Sequence, residues 1–142
     1  MSDPNAVVAC PSCGKKNRLP AVASGVPRCA VCQAGLPWVV PADDRSFAEV
    51  AEQSKVPVVL DLWAPWCGPC RMVAPALEQV ATDLAGRIKV VKVNVDENPR
   101  VAGTHGIRSI PALKLFRGPL LLDQQTGALG KDSLDLWIDR FV

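Results

Sequence analysis

The sequence predicts an α/β fold, a mixed central sheet flanked by helices, preceded by a small N-terminal module stapled by four cysteines. Three observations carry this expectation. From residue 42 onward, apolar and β-branched runs alternate with segments whose apolar residues recur at helical spacing. Residues 1–41 hold six of the thirteen prolines and four of the six cysteines, so the composition breaks near residue 41. All six cysteines form CxxC pairs, Cys10/Cys13, Cys29/Cys32 and Cys67/Cys70; the first two lie in a Pro- and Gly-rich stretch, and the third sits between a strand pattern and a helix pattern. The expected division is a module over 1–37 and an α/β domain over 38–142.

Within that domain, residues 38–40 read as a lead-in strand. Ser46 and Glu49 have capping-box spacing, and Phe47, Val50 and Ala51 follow at helical intervals, so a helix is expected over 46–54. Residues 56–63 form an almost continuous apolar run, the pattern of a strand covered on both faces, with Asp61 alone inside it. After Cys70, Met72, Val73, Ala76, Leu77 and Val80 mark a helix in which Pro75 should introduce a kink. A second buried strand is expected over 88–95, and Asn98-Pro99 opens a short helix. Strands at 112–116 and 120–124 are close enough to be antiparallel, whereas helical crossovers make the earlier strands parallel. The last helix starts near Lys131 and shows one apolar stripe, Leu134, Trp137, Ile138 and Phe141.

Composition narrows the class of partner. A chain of 142 residues with 49% hydrophobic residues and a net charge of +2 has room for one compact domain and an appendage, and no chain-wide field to attract nucleic acid. No apolar run is long enough to span a bilayer, and the start Met1-Ser2-Asp3-Pro4 lacks the basic and apolar regions of an export signal. The expectation is a cytoplasmic protein with neither a membrane nor a nucleic-acid partner. In that compartment cysteines stay reduced, which makes metal binding and redox chemistry the leading readings of the CxxC pairs.

Cys67-Gly68-Pro69-Cys70 follows a strand and opens a helix, so Cys67 should sit near free backbone N–H groups and the positive end of the helix dipole, a setting that favours thiolate. Two intervening residues keep both sulfurs in disulfide range. Gly68 leaves Cys67 unscreened and Pro69 suits a rigid first turn. Cys67 can then attack a client disulfide and Cys70 resolve the mixed disulfide. Half of a metal site and two inert core thiols are the competing readings of a bare CxxC. A carboxyl in a buried strand is costly when charged, so Asp61 should have a raised pKa and could accept a proton from Cys70; a hydrogen-bonded core Asp with no catalytic part is the competing reading. Lys92, in another buried strand, either pairs with Asp61 or reaches solvent. His105 reads as a loop residue.

The segment from Leu60 to Met72, together with Arg108-Ser109-Ile110-Pro111-Ala112-Leu113, closely resembles the two signatures of the thioredoxin family. The likeness continues through 91–96 and 126–129 and covers about residues 38–142. The resemblance implies a thioredoxin fold, a nucleophile at Cys67, a resolving Cys70, a buried proton-transferring Asp61, and a cis bond before Pro111 that leaves the Ile110 backbone to pair with a client strand. It likewise implies that Trp66, Gly68, Pro69, Ile110, Pro111 and Gly127 form an uncharged docking surface, whereas Trp63 reads as core. The chain departs from the pattern at Leu62, often Phe in the family, and at the Gly118-Pro119 turn. The run Leu120-Leu121-Leu122 is unusually apolar for its strand, and a contact with the N-terminal module is expected to explain it.

Cys10 and Cys13 are separated from Cys29 and Cys32 by fifteen residues, at the edge of the usual spacing of a four-cysteine zinc site. Two disulfides or a four-cysteine iron site are the alternatives. Four thiolates around Zn2+ leave a charge near −2, which Lys15, Lys16, Arg18 and Arg28 are placed to offset; with Asp3 the local charge is four minus one, +3. So short a segment builds little core, and a structural zinc, one per chain, would supply its folding free energy. A zinc module joined to such a domain resembles the thioredoxin 2 type. The function so implied is a monomeric protein-disulfide reductase acting on disulfide-containing clients and recycled by NADPH-dependent thioredoxin reductase, NADPH entering only through that partner. An oxidase or isomerase, and a zinc-dependent binding module with an incidental dithiol, are its rivals.

Overall fold

The computed structural model describes residues 5–23 and 25–142; Met1 to Pro4, read above for an export signal and for the Asp3 charge, lie outside the described residues. Two short strands, β1 (Asn5–Ala9) and β2 (Lys16–Pro20), pair antiparallel as a ribbon. Sequence patterning gives no warning of them, since five-residue strands flanking a cysteine knuckle carry too little alternation to register.

The main sheet has five strands, β3 (Val39–Pro41), β4 (Val58–Trp63), β5 (Lys89–Asn94), β6 (Ala112–Arg117) and β7 (Leu120–Thr126), in the order β3-β5-β4-β6-β7. β3, β5 and β4 are parallel, and β6 and β7 join antiparallel, the mixed arrangement expected from helical crossovers followed by a hairpin. Helix α1 (Gly68–Asp83) runs on through Pro75, which removes the N–H that would have met the Arg71 carbonyl. Helices α2 (Pro99–Thr104) and α3 (Lys131–Asp139) complete the fold. None of these helices is long and apolar enough to cross a membrane.

β4 is buried along almost its whole length because both sheet faces are covered. On one face α1 and α3 lay Val73, Leu77, Val80, Leu134, Trp137 and Ile138 over Val59, Val90, Leu113 and Leu115. On the other, Phe47, Val50 and Val101 share a continuous core with Leu60, Leu62 and Val91, and the N-terminal residues Cys10, Leu19, Cys29, Leu36 and Trp38 belong to that same core.

Two expectations are corrected. The helix expected over 46–54 is a short π-helical turn, Ala48–Glu52, and the Ser46/Glu49 box does not form. The Asp43 carboxylate instead accepts from the Arg45 and Ser46 amides at 3.0 and 2.8 Å, while the Ser46 hydroxyl accepts from the Asp43 amide at 3.0 Å. An ionised carboxylate is the stronger acceptor, so the reciprocal cap forms three residues upstream. The leucine run does not meet the N-terminal module either. β7 is the edge strand at the far side of the sheet from β3, beside which β2 packs; Leu120 and Leu121 are exposed, and Leu122 turns into the core under α1 and α3.

Candidate functional site

Cys67 caps α1 from extended backbone, with Pro69 in the first turn, and the Cys70 amide donates to its sulfur at 3.2 Å. Cys67 and Cys70 are joined as a disulfide, their Cα atoms 5.3 Å apart. Both are buried, while Trp66, Gly68 and Pro69 between and beside them are exposed, so the pair is approached across its own loop. Ala64 and Ile110 pack against the two cysteines. The Ile110–Pro111 bond is cis, as the resemblance implies, and the Pro111 carbonyl accepts from the Gly127 amide at 2.9 Å, which seats Gly127 (φ +94°) beside Pro111.

Asp61 lies behind the dithiol. It is 2% exposed, and its Oδ1 is buried with no hydrogen-bond partner among the described residues. Burial pushes its pKa up to about 6, against the pull of the Lys92 charge. Asp61 and Lys92 are register partners on β4 and β5, which places the lysine alongside without an ion pair among the described residues; its ammonium lies 5.6 Å from the centroid of the half-buried Trp63 ring. A cavity of about 210 Å3 is lined by Asp61, Cys70, Arg71 and Lys92 together.

Two neighbours escaped the sequence reading. Asp96 accepts from the Trp66 indole at 2.9 Å and so fixes the most exposed aromatic beside the dithiol, and Arg71 donates to the Pro65 carbonyl at 2.6 Å and ties down the preceding loop. Neither has a local signal, because each contact closes only when β5 and α1 are folded onto the loop. His105 packs edge-on between Phe47 and Phe116, with ring centroids 5.3 and 5.5 Å away, in a structural role.

The other four cysteines form a second cluster. Their sulfurs all lie within 4.8 Å of one another, with Cys10 to Cys32 and Cys13 to Cys29 both 3.5 Å. Zn–S bonds of about 2.3 Å put tetrahedral ligands about 3.8 Å apart, so this donor set fits one zinc ion. The two knuckles repeat one backbone design. Gly14 and Gln33 donate to the Cys10 and Cys29 carbonyls at 2.9 and 3.0 Å, and both have positive φ, +80° and +66°. Gly14 adopts that conformation freely, and Gln33 does so against its side chain. Cys29 is the most supported sulfur. The Cys32 and Val31 amides and the Asn17 side chain hold its thiol down at about 6, the direction a metal-binding thiolate needs. Asn17, a further residue missed in the sequence, also accepts from the Ala30 amide at 3.0 Å and so links the knuckles.

The clusters lie at opposite ends of the sheet. The dithiol follows the C-terminal end of β4, whereas the four-cysteine segment packs at the strand starts, where a side chain on Gly35 would meet the Ala85 backbone at 3.2 Å.

The family model for thioredoxin matches residues 38–140, which leaves the four-cysteine segment outside the match. Among curated relatives, Thioredoxin 1 of Nostoc sp. is 50% identical over 99 residues, 70% of this chain and 92% of the relative. Thioredoxin of Haemophilus influenzae is 42% identical over 104 residues, 73% of this chain and 97% of the relative. Thioredoxin M-type of Zea mays chloroplasts is 42% identical over 114 residues, 79% of this chain and 68% of the relative. With its mixed sheet, its Cys67–Cys70 pair opening α1 and these matches, the chain belongs to the thioredoxin family of protein-disulfide oxidoreductases.

Proposed function

We propose that this protein is a cytoplasmic, monomeric, zinc-binding thioredoxin of the thioredoxin 2 type, which reduces client disulfides and is recycled by NADPH-dependent thioredoxin reductase. The observation that carries the reading is the dithiol at the start of α1 with buried Asp61 sharing its cavity. In the reduced protein, the Cys67 thiolate, favoured by the Cys70 amide and the helix terminus, attacks one sulfur of a client disulfide and expels the other as thiolate. Cys70 gives its proton to Asp61, directly or across the cavity, and its sulfur attacks Cys67, releasing the second client thiolate. Two electrons have passed to the client, and Cys67–Cys70 is left oxidised. Lys92 tunes Asp61, and Trp66, Gly68, Pro69, Ile110, Pro111 and Gly127 receive the client as an extended strand. The reductase returns the electrons from NADPH.

Residues 1–37 are read as the zinc module and 38–142 as the catalytic domain. Cys10, Cys13, Cys29 and Cys32 would hold the ion in a closed shell, where it supplies a cross-link and no open coordination position. The exposed Lys15, Lys16, Arg18 and Arg28 offset the site charge.

The direct test is reduction of a disulfide protein by NADPH and thioredoxin reductase with this protein in catalytic amount. Sustained NADPH consumption is expected, with a dithiol potential in the range thioredoxins occupy, about −270 mV. No turnover, or a potential above about −200 mV, would replace the reductase with an oxidase or isomerase.

The metal reading has its own test. One zinc per chain is expected by elemental analysis, and Cys29→Ser should lose it. Because structural zinc contributes on the order of 10 kcal/mol to such modules, chelation is expected to erase amide protection in β1 and β2. Full protection after complete metal removal would overturn the structural role.

A further inference from the structure

Lys89, the first residue of β5, has the largest side chain among those fully buried, and it is a cation. A lysine at a strand end ordinarily keeps its amine in water. The structure buries Lys89 to 1% exposure with no carboxylate partner among the described residues. Its ammonium donates to the Ala21 carbonyl, 68 residues away in sequence, and to the Val50 carbonyl at 2.6 Å, and it sits 4.3 Å from the centroid of the Trp38 ring. Burial pulls its pKa to about 8, which leaves it charged at neutral pH. Trp38 in turn donates its indole N–H to the Pro20 carbonyl at 2.9 Å.

Two successive carbonyls at the exit of β2 are thus gripped by two side chains of the catalytic domain. The position of that strap matters to the four cysteines. The Cys10/Cys13 knuckle lies at the turn of the β1–β2 ribbon, so the course of the chain at Pro20–Ala21 sets where that knuckle stands. The Cys29/Cys32 knuckle is anchored on its own side through Leu36 and through Gly35 against Ala85, and Asn17 of β2 bonds across to it. Displacing the strap would cost Lys89 its Ala21 acceptor and Trp38 its Pro20 acceptor, so the docked strap is favoured by hydrogen bonds that close only there.

We infer that Lys89 is a positioning residue for the four-cysteine metal site: by clamping Pro20–Ala21 onto the sheet it holds one cysteine knuckle against the other without touching a ligand. This rests on the zinc reading above. Binding linkage is reciprocal, so a contact that favours the docked strap raises metal affinity, and metal binding tightens the clamp.

The test compares Zn2+ affinity, by competition with a chromophoric chelator, in the full-length protein and in Lys89→Met, which keeps the length and removes the ammonium. An affinity at least tenfold weaker is expected, with faster amide exchange in β1 and β2. Val59→Ala, a cavity variant in the core under α1 and α3, should lower global stability and leave zinc affinity within twofold, separating positioning from general destabilisation. Trp38→Phe, which keeps the ring and loses the bond to Pro20, is expected to weaken zinc binding about threefold and serves where Lys89→Met fails to fold. Zinc binding by Lys89→Met within twofold of the parent, with unchanged exchange, would overturn the inference, as would an unchanged affinity in Trp38→Phe if that variant alone folds. Absence of zinc binding in the parent protein would instead sink the metal reading, and the exchange of β1 and β2 would still decide whether Lys89 clamps the strap.

Discussion

Replacing Cys67 by serine is expected to abolish NADPH-coupled disulfide reduction, a loss on the order of 10^4-fold or more, the scale on which removal of a catalytic nucleophile is felt. A serine hydroxyl is not ionised at neutral pH and is a far weaker attacker of sulfur, whereas the thiol it replaces receives the Cys70 amide at the start of α1. The partner variant separates the two steps. Cys70→Ser leaves the first attack intact and removes the second, so it should accumulate a covalent complex with the client whose mass is the sum of the two chains and which dithiothreitol dissolves. Complex formation by Cys67→Ser and not by Cys70→Ser would reverse the assignment. Turnover by Cys67→Ser would remove the dithiol mechanism altogether.

Asp61→Asn is expected to raise stability at pH 7 by about 2 to 3 kcal/mol while slowing turnover by about 10^2-fold. In the folded protein burial pushes the Asp61 pKa up to about 6, from the ordinary aspartate value of 3.8. Between about pH 4 and 6 the unfolded chain has lost this proton and the folded one keeps it, so the folded state binds more protons and stability falls as pH rises through that window. Above it the folded protein carries the full cost of a buried carboxylate, which the neutral amide avoids. Below pH 4 both states are protonated and the two proteins should converge. Urea unfolding at pH 4 and pH 7 checks the sign: a stability difference as large at pH 4 as at pH 7 would show that the effect is not ionisation. On the kinetic side, the parent should show an inflection near pH 6 in the resolution of the mixed disulfide, and the variant should lack it.

Much of this site is legible in the sequence because its chemistry is local. Cys67-Gly68-Pro69-Cys70 between an apolar run and a helical pattern already specifies a dithiol at a helix start, and a lone acid within 56–63 specifies a buried carboxyl, since a strand covered on both faces has nowhere else to put it. Four cysteines at metal spacing, in a segment too short to build its own core, specify a staple. The mixture of parallel and antiparallel strands follows equally from the lengths of the connections.

Other features depend on distant residues meeting. The β1–β2 ribbon is too short to show a period. Asp43 rather than Ser46 leads the cap before the π-helical turn because a competition between acceptors is settled by geometry. Leu120 and Leu121 look like an interface until the strand order puts them on the edge away from the module. Asp96, Arg71 and Asn17 become site neighbours only after closure of the elements that carry them. Lys89 is the clearest case. The sequence by itself determined the strand it begins, the dithiol and the four sulfurs; only the tertiary structure decided that its ammonium is enclosed by Trp38, Ala21 and Val50, because burial of a charge depends on which carbonyls the fold brings within reach, and no local pattern records that.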